Sequence, residues 1–230
     1  MDLATLRAHV AAAGLAVRGA FHPTPDDGLA GGTLVLLGFA GGVGWSAFAA
    51  SPEAADGVRD PLDRWSRRVI DGLAAAVGGA ALYPFAGPPW HPFQRWAQRA
   101  EPVHPSPLGI LIHPDWGLWH SYRGAIALPA RIALPPPDRR PSPCAACSDR
   151  PCLAACPVGA FSPAGYDVAA CAAHILAPPG AACLAAGCAA RLACPVGAAH
   201  RYGAAQAGFY MRAFRASRAS SAALRGMPQR

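Results

Sequence analysis

The 230-residue sequence contains no lysine, so all 20 of its positive charges are arginines. Charged residues make up only 14% of the chain, and no acidic residue follows Asp167. Long apolar runs are also missing, since stretches such as 33–40 fall far short of the roughly 20 residues that a membrane span needs. The first residues lack the ordered charged, apolar and cleavage regions of a secretory signal. These absences predict a cytoplasmic protein without a membrane span.

Apolar residues account for 53% of the sequence, which is enough for a buried core and excludes global disorder. The length suits one large domain or two small ones. The glycine-rich stretch 41–45 lacks the Lys and the Ser or Thr of a Walker phosphate-binding loop, so we interpret it as a turn.

The first 134 residues predict a mixed α/β domain. Apolar spacing predicts an amphipathic helix over 3–17, and a short apolar run predicts a buried strand over 33–39. A second helix is predicted from Asp60, which can cap it, through Pro61 at the first helical position to residue 77. The remaining predicted elements are strands at 80–85, 108–112 and 119–128, and a short helix that ends at Ala100.

The Pro-rich stretch 135–143 predicts a stiff, extended linker, so we expect the domain boundary there. A second domain is predicted over 144–200, and a basic helix and tail over 201–230. The predicted fold class of the whole chain is therefore α+β. The tail carries Arg212, Arg215 and Arg218 between apolar residues, which indicates either an acidic partner or a solvated face.

All eight cysteines lie in one short stretch, at positions 144, 147, 152, 156, 171, 183, 188 and 194. One hexapeptide, Ala-Cys-Pro-Val-Gly-Ala, occurs twice in this stretch, at 155–160 and at 193–198. Three cysteines followed by a Cys-Pro form the run of bacterial-type iron–sulfur proteins, in which the fourth cysteine ligates the other cluster. In a reducing compartment, so many cysteines argue for metal ligation over disulfides.

The eight cysteines predict two 4Fe–4S clusters, since each cluster takes four thiolates. By the swapped-ligand pattern, one cluster takes Cys144, Cys147, Cys152 and Cys194. The other cluster takes Cys156, Cys171, Cys183 and Cys188. Small neighbouring residues keep the backbone close to the inorganic sulfides, where its N–H groups tune the potential. Two tetrathiolate zinc sites would use the same eight cysteines and are the structural alternative.

The cysteine segment, about residues 141–200, resembles the dicluster ferredoxin module at the C-terminal end of epoxyqueuosine reductases and corrinoid reductive dehalogenases. The stretch 109–129 has an Ile-His-Pro-Asp-Trp-Gly-Leu-Trp turn, an Arg-Gly pair and a closing Leu-Pro. It is similar to a signature of the cobalamin-processing chaperones of the cblC type, and Trp90-His91-Pro92 sits where that family also places a His-Pro. These resemblances imply a nitroreductase-like or cblC-like α/β sheet domain that binds a corrinoid (cobalamin) or a flavin, followed by a ferredoxin-like domain.

The resemblance makes His91, His113, Tyr122 and Arg123 the candidate residues of an N-terminal cofactor pocket. An imidazole beside a Pro-restricted turn can ligate a metal or donate a hydrogen bond to a corrinoid amide. A lone His in such a turn is more often a structural hydrogen bonder, which is the alternative for each of these residues.

The predicted function is electron transfer from a redox partner protein, through the clusters, to a corrinoid or flavin held by the N-terminal domain. Two alternatives stay open. One is a dehalogenase-like or epoxyqueuosine-reductase-like reductase, whose Arg-rich tail would bind tRNA phosphates in the tRNA version. The other is a plain ferredoxin-type electron carrier.

Overall fold

A computed structural model describes residues 2–29 and 31–225 of the chain. The chain divides into two compact units, one made of Met1–His104 with Trp119–Pro141 and the other of Pro105–Leu118 with Ser142–Arg230. Helices and strands both occur, which confirms the mixed helix-and-sheet class that the sequence predicts. Among the described residues, no helix combines the length and the apolar character needed to cross a membrane.

The elements of regular structure are short, apart from two helices. The strands are β1 (Ala16–Phe21), β2 (Thr33–Ala40), β3 (Ala80–Leu82), β4 (His104–Pro105), β5 (Leu111–Ile112), β6 (His120–Leu128), β7 (Phe161–Ser162) and β8 (Gly165–Tyr166). The helices are α1 (Leu3–Ala12), α2 (Trp45–Ala49), α3 (Pro52–Ala55), α4 (Pro61–Ala76), α5 (Phe93–Ala100), α6 (Pro151–Ala154), α7 (Val168–Leu176), α8 (Ala181–Ala186), α9 (Ala189–Leu192) and α10 (Ala204–Arg225).

The first unit is built on a four-stranded antiparallel sheet with the strand order β1-β2-β6-β3. Strand β2 is buried at every position, as expected for a continuous apolar run in the middle of a sheet. Its partner β6 contains a bulge, because Leu37 lies opposite Gly124 whereas Gly38 lies opposite Tyr122. Arg123 is therefore the extra residue of this strand pair.

Three helices pack against this sheet through their apolar faces. Helix α4 contacts β6 and β3, and α1 and α5 contact β1. In α4 the buried Trp65 ring lies 5.8 Å from the ring of Phe39 and 5.9 Å from that of Phe48. Aromatic packing of this kind adds to the burial of apolar area and stabilises the core of the unit.

Two sequence predictions for this unit are wrong in detail. The helix predicted over 3–17 ends at Ala12, and β1 follows at once, because Gly14 adopts a left-handed conformation (φ 78°) that stops the helix. Asp60 precedes α4 as predicted, but its side chain does not cap the helix. The residue has a φ of 54°, and its backbone carbonyl accepts hydrogen bonds from the N–H groups of Asp63 and Arg64.

The segment Pro105–Leu118 belongs to the second unit, although we predicted it as part of a domain over 1–134. Only Leu111–Ile112 of the predicted strand 108–112 is extended, and it pairs with β4. The physical reason is apolar packing, since Leu108, Ile112 and Leu118 share a buried core with cysteines of the second unit.

The second unit contains short helices, the long helix α10 and a small hairpin. Strands β7 and β8 pair as an antiparallel hairpin, and α10 packs on α7 and α8. The stretch 135–141, within the predicted linker, has no regular secondary structure. Helix α10 covers most of the predicted basic segment, whereas residues 226–230, which include Arg230, lie outside the described residues.

Candidate metal centre

The eight cysteines of the second unit are all free thiols. Cys152 lies in α6, Cys171 in α7 and Cys183 in α8, while Cys188 directly precedes α9 and Cys194 follows it. Cys152, Cys183 and Cys194 are buried and the other five are half-buried. The short helices and turns thus turn every thiol at least partly away from water.

Four of these thiols are linked through their effects on pKa values. Burial raises the pKa of Cys144, and the neighbouring thiols Cys194, Cys152 and Cys147 raise it further. Burial raises the pKa of Cys152, and the Cys147 thiol raises it further. Burial also raises the pKa of Cys194, with further contributions from Cys152 and Cys147. We call Cys144, Cys147, Cys152 and Cys194 the first thiol set.

The other four thiols form a second group. Burial raises the pKa of Cys171, and the thiols of Cys156 and Cys183 add to that rise. Burial also raises the pKa of Cys188, with further contributions from Cys171 and Cys183. We call Cys156, Cys171, Cys183 and Cys188 the second thiol set. These effects on pKa group the thiols in the same way as the swapped-ligand pattern, and the assignment of ligands to two clusters stays a prediction.

Backbone N–H groups point at several of the sulfur atoms. The N–H of Ala160 lies 3.4 Å from Cys156 Sγ. Hydrogen bonds from Val196 to Cys194, and from Arg191 and Ala190 to Cys188, oppose the rise in pKa that burial causes in these thiols. Donors of this kind stabilise the thiolate, which is the form that ligates metals.

Two side chains add contacts to the second thiol set. The Tyr166 hydroxyl donates to Cys171, so that burial and this hydrogen bond raise the pKa of the tyrosine. His174 Nε2 lies 3.8 Å from Cys183 Sγ. The sequence analysis missed both residues, because neither one belongs to the cysteine motif. Their position within nine residues of a second-set cysteine is the signal that could have found them.

No group of three or more His, Cys, Asp or Glu side chains in the described residues is arranged to hold a single metal ion. A tetrahedral zinc site needs four thiolates at about 2.3 Å from one ion, so the sulfur atoms almost touch one another. A 4Fe–4S cluster places its own iron and sulfide between the thiolates, so its ligands lie farther apart. The eight free thiols equal in number the ligands that two such clusters need, and small residues and backbone donors lie around them.

The predicted N-terminal pocket residues have separate partners. His113 belongs to the second unit, whereas His91, Tyr122 and Arg123 belong to the first. The Tyr122 hydroxyl donates to Glu101 Oε1 at the end of α5, and Glu101 is itself paired with Arg18 of β1. Tyr122 therefore belongs to a buried structural network.

The other candidates also make structural contacts. Arg123 turns to α4, where it donates to Ser66 Oγ at 3.0 Å and pairs with Asp63. The ring of His91 stacks on that of Trp96, with the centroids 5.4 Å apart. His113 Nδ1 accepts a hydrogen bond from the Asp115 N–H at 3.0 Å and so closes its own turn. Each of these contacts fits the alternative interpretation, in which the side chains are structural.

Comparison with protein-family models and with curated proteins finds no match to this chain. The function of the chain is therefore inferred from its own residues and from the contacts between them.

Proposed function

We propose that the protein is an iron–sulfur electron-transfer protein with one 4Fe–4S cluster on each thiol set. The observation that carries this proposal is the agreement between two independent divisions of the eight cysteines. The swapped-ligand pattern of the doubled Cys-Pro motif divides them by sequence, and the contributions of neighbouring thiols to their pKa values support the same groups of four.

The protein residues have three tasks in this function. The thiolates would hold the clusters, which supply reversible one-electron transfer when they are bound. The backbone donors to Cys156, Cys188 and Cys194 offset part of the thiolate charge and tune the potential. Burial of the thiols limits the access of water.

We assign the electron acceptor to the first unit, as a corrinoid or flavin bound to a nitroreductase-like or cblC-like sheet. Support for this part comes from the resemblance of stretch 109–129 to the cblC signature. Residues 109–118 of that stretch lie in the second unit, and only 119–129 lie in the first. This division favours a second candidate function, a plain ferredoxin-type carrier whose first unit only docks a partner.

The partner that donates electrons would be a redox protein in a reducing, cytoplasmic compartment. The chain from Val168 onwards would offer it a basic surface, since Arg212 and Arg215 of α10 are exposed and no acidic residue follows Asp167. An acidic redox protein and a tRNA both fit such a surface, and the salt dependence of binding to each would separate them.

Anaerobic purification followed by iron and acid-labile sulfide analysis tests the main proposal. We expect about eight iron and about eight sulfide per chain, with a broad absorbance near 400 nm, as two 4Fe–4S clusters require. Zinc bound without labile sulfide would contradict the proposal and support the structural alternative.

Titration with hydroxocobalamin tests the corrinoid part separately. Binding to the first unit would change the corrin spectrum, and reduction through the clusters would change it further. An unchanged spectrum in a protein that carries both clusters would leave the plain carrier as the function.

A further inference from the structure

The two copies of Cys-Pro-Val-Gly differ in their surroundings. Gly159 and Gly197 close the two copies, and both adopt a left-handed conformation, with φ of 59° and 66°. A Cβ atom on Gly159 would meet nothing within 4 Å, whereas one on Gly197 would lie 2.5 Å from the carbonyl carbon of Trp116. The second copy is therefore covered, and the residues that cover it come from Pro105–Leu118.

The covering segment is a closed turn held by its own hydrogen bonds. The N–H and carbonyl groups of His113 and Gly117 exchange two hydrogen bonds of 2.9 Å. His113 Nδ1 accepts two more, from Asp115 at 3.0 Å and from Trp116 at 3.3 Å. Gly117 adopts a φ of 56°, and a Cβ there would overlap the carbonyl oxygen of Val196. The turn can approach the Cys194–Gly197 loop closely because glycine occupies both sides of the contact.

The underside of the segment is apolar and packs with cysteines of both sets, and the two buried ones belong to the first set. Leu108, Ile112 and Leu118 share a buried core with Cys152 and Cys194, which both belong to that set. Cys144 also packs against this core, together with Cys156 and Cys188 of the second set.

Two further contacts hold the segment in place. The Arg191 side chain in α9 donates to the Leu118 carbonyl, and the Trp116 ring lies 4.3 Å from that of His200. The covering segment is thus fastened to the chain on both sides of Cys194.

We propose that Pro105–Leu118 is a cover for the cluster of the first thiol set, with Gly117 and Gly197 as its positioning residues. The inference rests on the proposed function. An apolar cover lowers the local dielectric, which disfavours the extra negative charge of a reduced cluster and lowers its reduction potential. It also keeps dioxygen from the cluster. The closest backbone contacts of the cover are with Val196 and Gly197, which follow Cys194 of the first set. The cover therefore acts more strongly on the cluster of the first set than on that of the second set.

Single-cluster proteins allow the two sets to be tested apart. Cys156→Ala with Cys171→Ala leaves the first thiol set intact, and Cys144→Ala with Cys147→Ala leaves the second. Gly117→Ala is then added to each, because it forces the turn away from Val196. Gly109→Ala is the matched control, since Gly109 lies in the same segment with φ 73° and an added Cβ meets nothing within 4 Å.

The readouts are the midpoint potential of each cluster and the rate at which air bleaches its absorbance near 400 nm. In the first-set protein, Gly117→Ala should move the reduction equilibrium roughly tenfold towards the reduced cluster, which is 59 mV for one electron. Bleaching should accelerate as well. In the second-set protein, Gly117→Ala should change both values less than in the first-set protein. Gly109→Ala should change neither value in either protein.

Trp116→Ala provides a second variant without backbone strain, for the case that Gly117→Ala fails to fold. It removes the ring that lies against His200, and the same selective change is expected, in the same direction but smaller. Equal effects on the two single-cluster proteins, or no effect of either variant on the first-set protein, would overturn the inference. If the parent chain bound no iron and sulfide, the proposed function itself would fail, which is a different result.

Discussion

The buried pair of Arg18 and Glu101 offers a sharp test of how the first unit is stabilised. The two side chains are 2.9 Å apart at their charged atoms and only 3% and 6% exposed. Removing one partner of a buried pair leaves a charge without compensation, which costs about 3–5 kcal/mol. We therefore expect Glu101→Gln to lower the free energy of unfolding of the first unit by that amount.

An exposed pair in the same unit is the control. Arg140 and Asp138 lie 2.8 Å apart, but their side chains are 46% and 40% exposed. Solvent screens such a pair, so Asp138→Asn should cost at most about 1 kcal/mol. Tyr122→Phe removes one hydrogen bond to the Glu101 carboxylate and should fall between these values, at about 1.5–3 kcal/mol.

Urea denaturation followed by tryptophan fluorescence measures these differences. Tryptophans 45, 65, 90, 96 and 119 lie in the first unit and only Trp116 lies in the second, so the signal reports mainly on the first unit. A Glu101→Gln variant no less stable than Asp138→Asn would refute the reasoning. If Tyr122→Phe abolished hydroxocobalamin binding without loss of stability, Tyr122 would be a ligand-binding residue after all.

Three further predictions concern acid stability, the covering segment and the chelation of metal. The hydrogen bond from Arg68 lowers the pKa of Glu53 to about 2 from its ordinary 4.5. This pair should therefore stabilise the fold above pH 4.5 and lose its effect as the pH falls towards 2. In Arg68→Gln the melting temperature should depend less on pH in this window, and an unchanged slope would contradict the assignment. Ile112→Ala empties part of the core beside Cys152 and should lower the free energy of unfolding by about 2–5 kcal/mol. The expected readout is thermal loss of the first-set cluster at a lower temperature. Ile110→Ala, at a 41% exposed position, should leave that temperature unchanged. An iron chelator should lower the melting temperature of the second unit, because cluster binding contributes to folding, while the tryptophan-reported unfolding of the first unit stays in place.

The sequence carried much information about the cysteine segment. The doubled Cys-Pro motif with the swapped-ligand pattern predicts two groups of cysteines, and the contributions of neighbouring thiols to their pKa values are consistent with these groups. The ligand pairing itself stays a prediction. Likewise, the apolar run of β2 and the amphipathic pattern of α4 depend on nearest neighbours along the chain, so both elements could be predicted. The identity of the bound metal stays a prediction.

Features that depend on distant contacts could not be predicted. The first two residues of β1 fit the end of the helix predicted over 3–17, and only the pairing of β1 with β2 makes them part of a strand. By sequence, Pro105–Leu118 is assigned to the preceding domain. In the structure, Leu108 and Ile112 pack in a core with Cys194, which lies about 80 residues further along the chain. The four expected pocket residues were chosen by motif, and their partners, such as Glu101 for Tyr122, carry no sequence signal.

The central claim is that each thiol set holds a cluster of its own. It is tested most directly by iron and sulfide analysis of two double variants that each lose two cysteines. Cys144→Ala with Cys152→Ala removes two ligands from the first set, so the account predicts that about half of the iron and sulfide stays bound. Cys144→Ala with Cys171→Ala removes one ligand from each set, so both clusters should become labile. Equal iron and sulfide contents in the two variants would contradict the account.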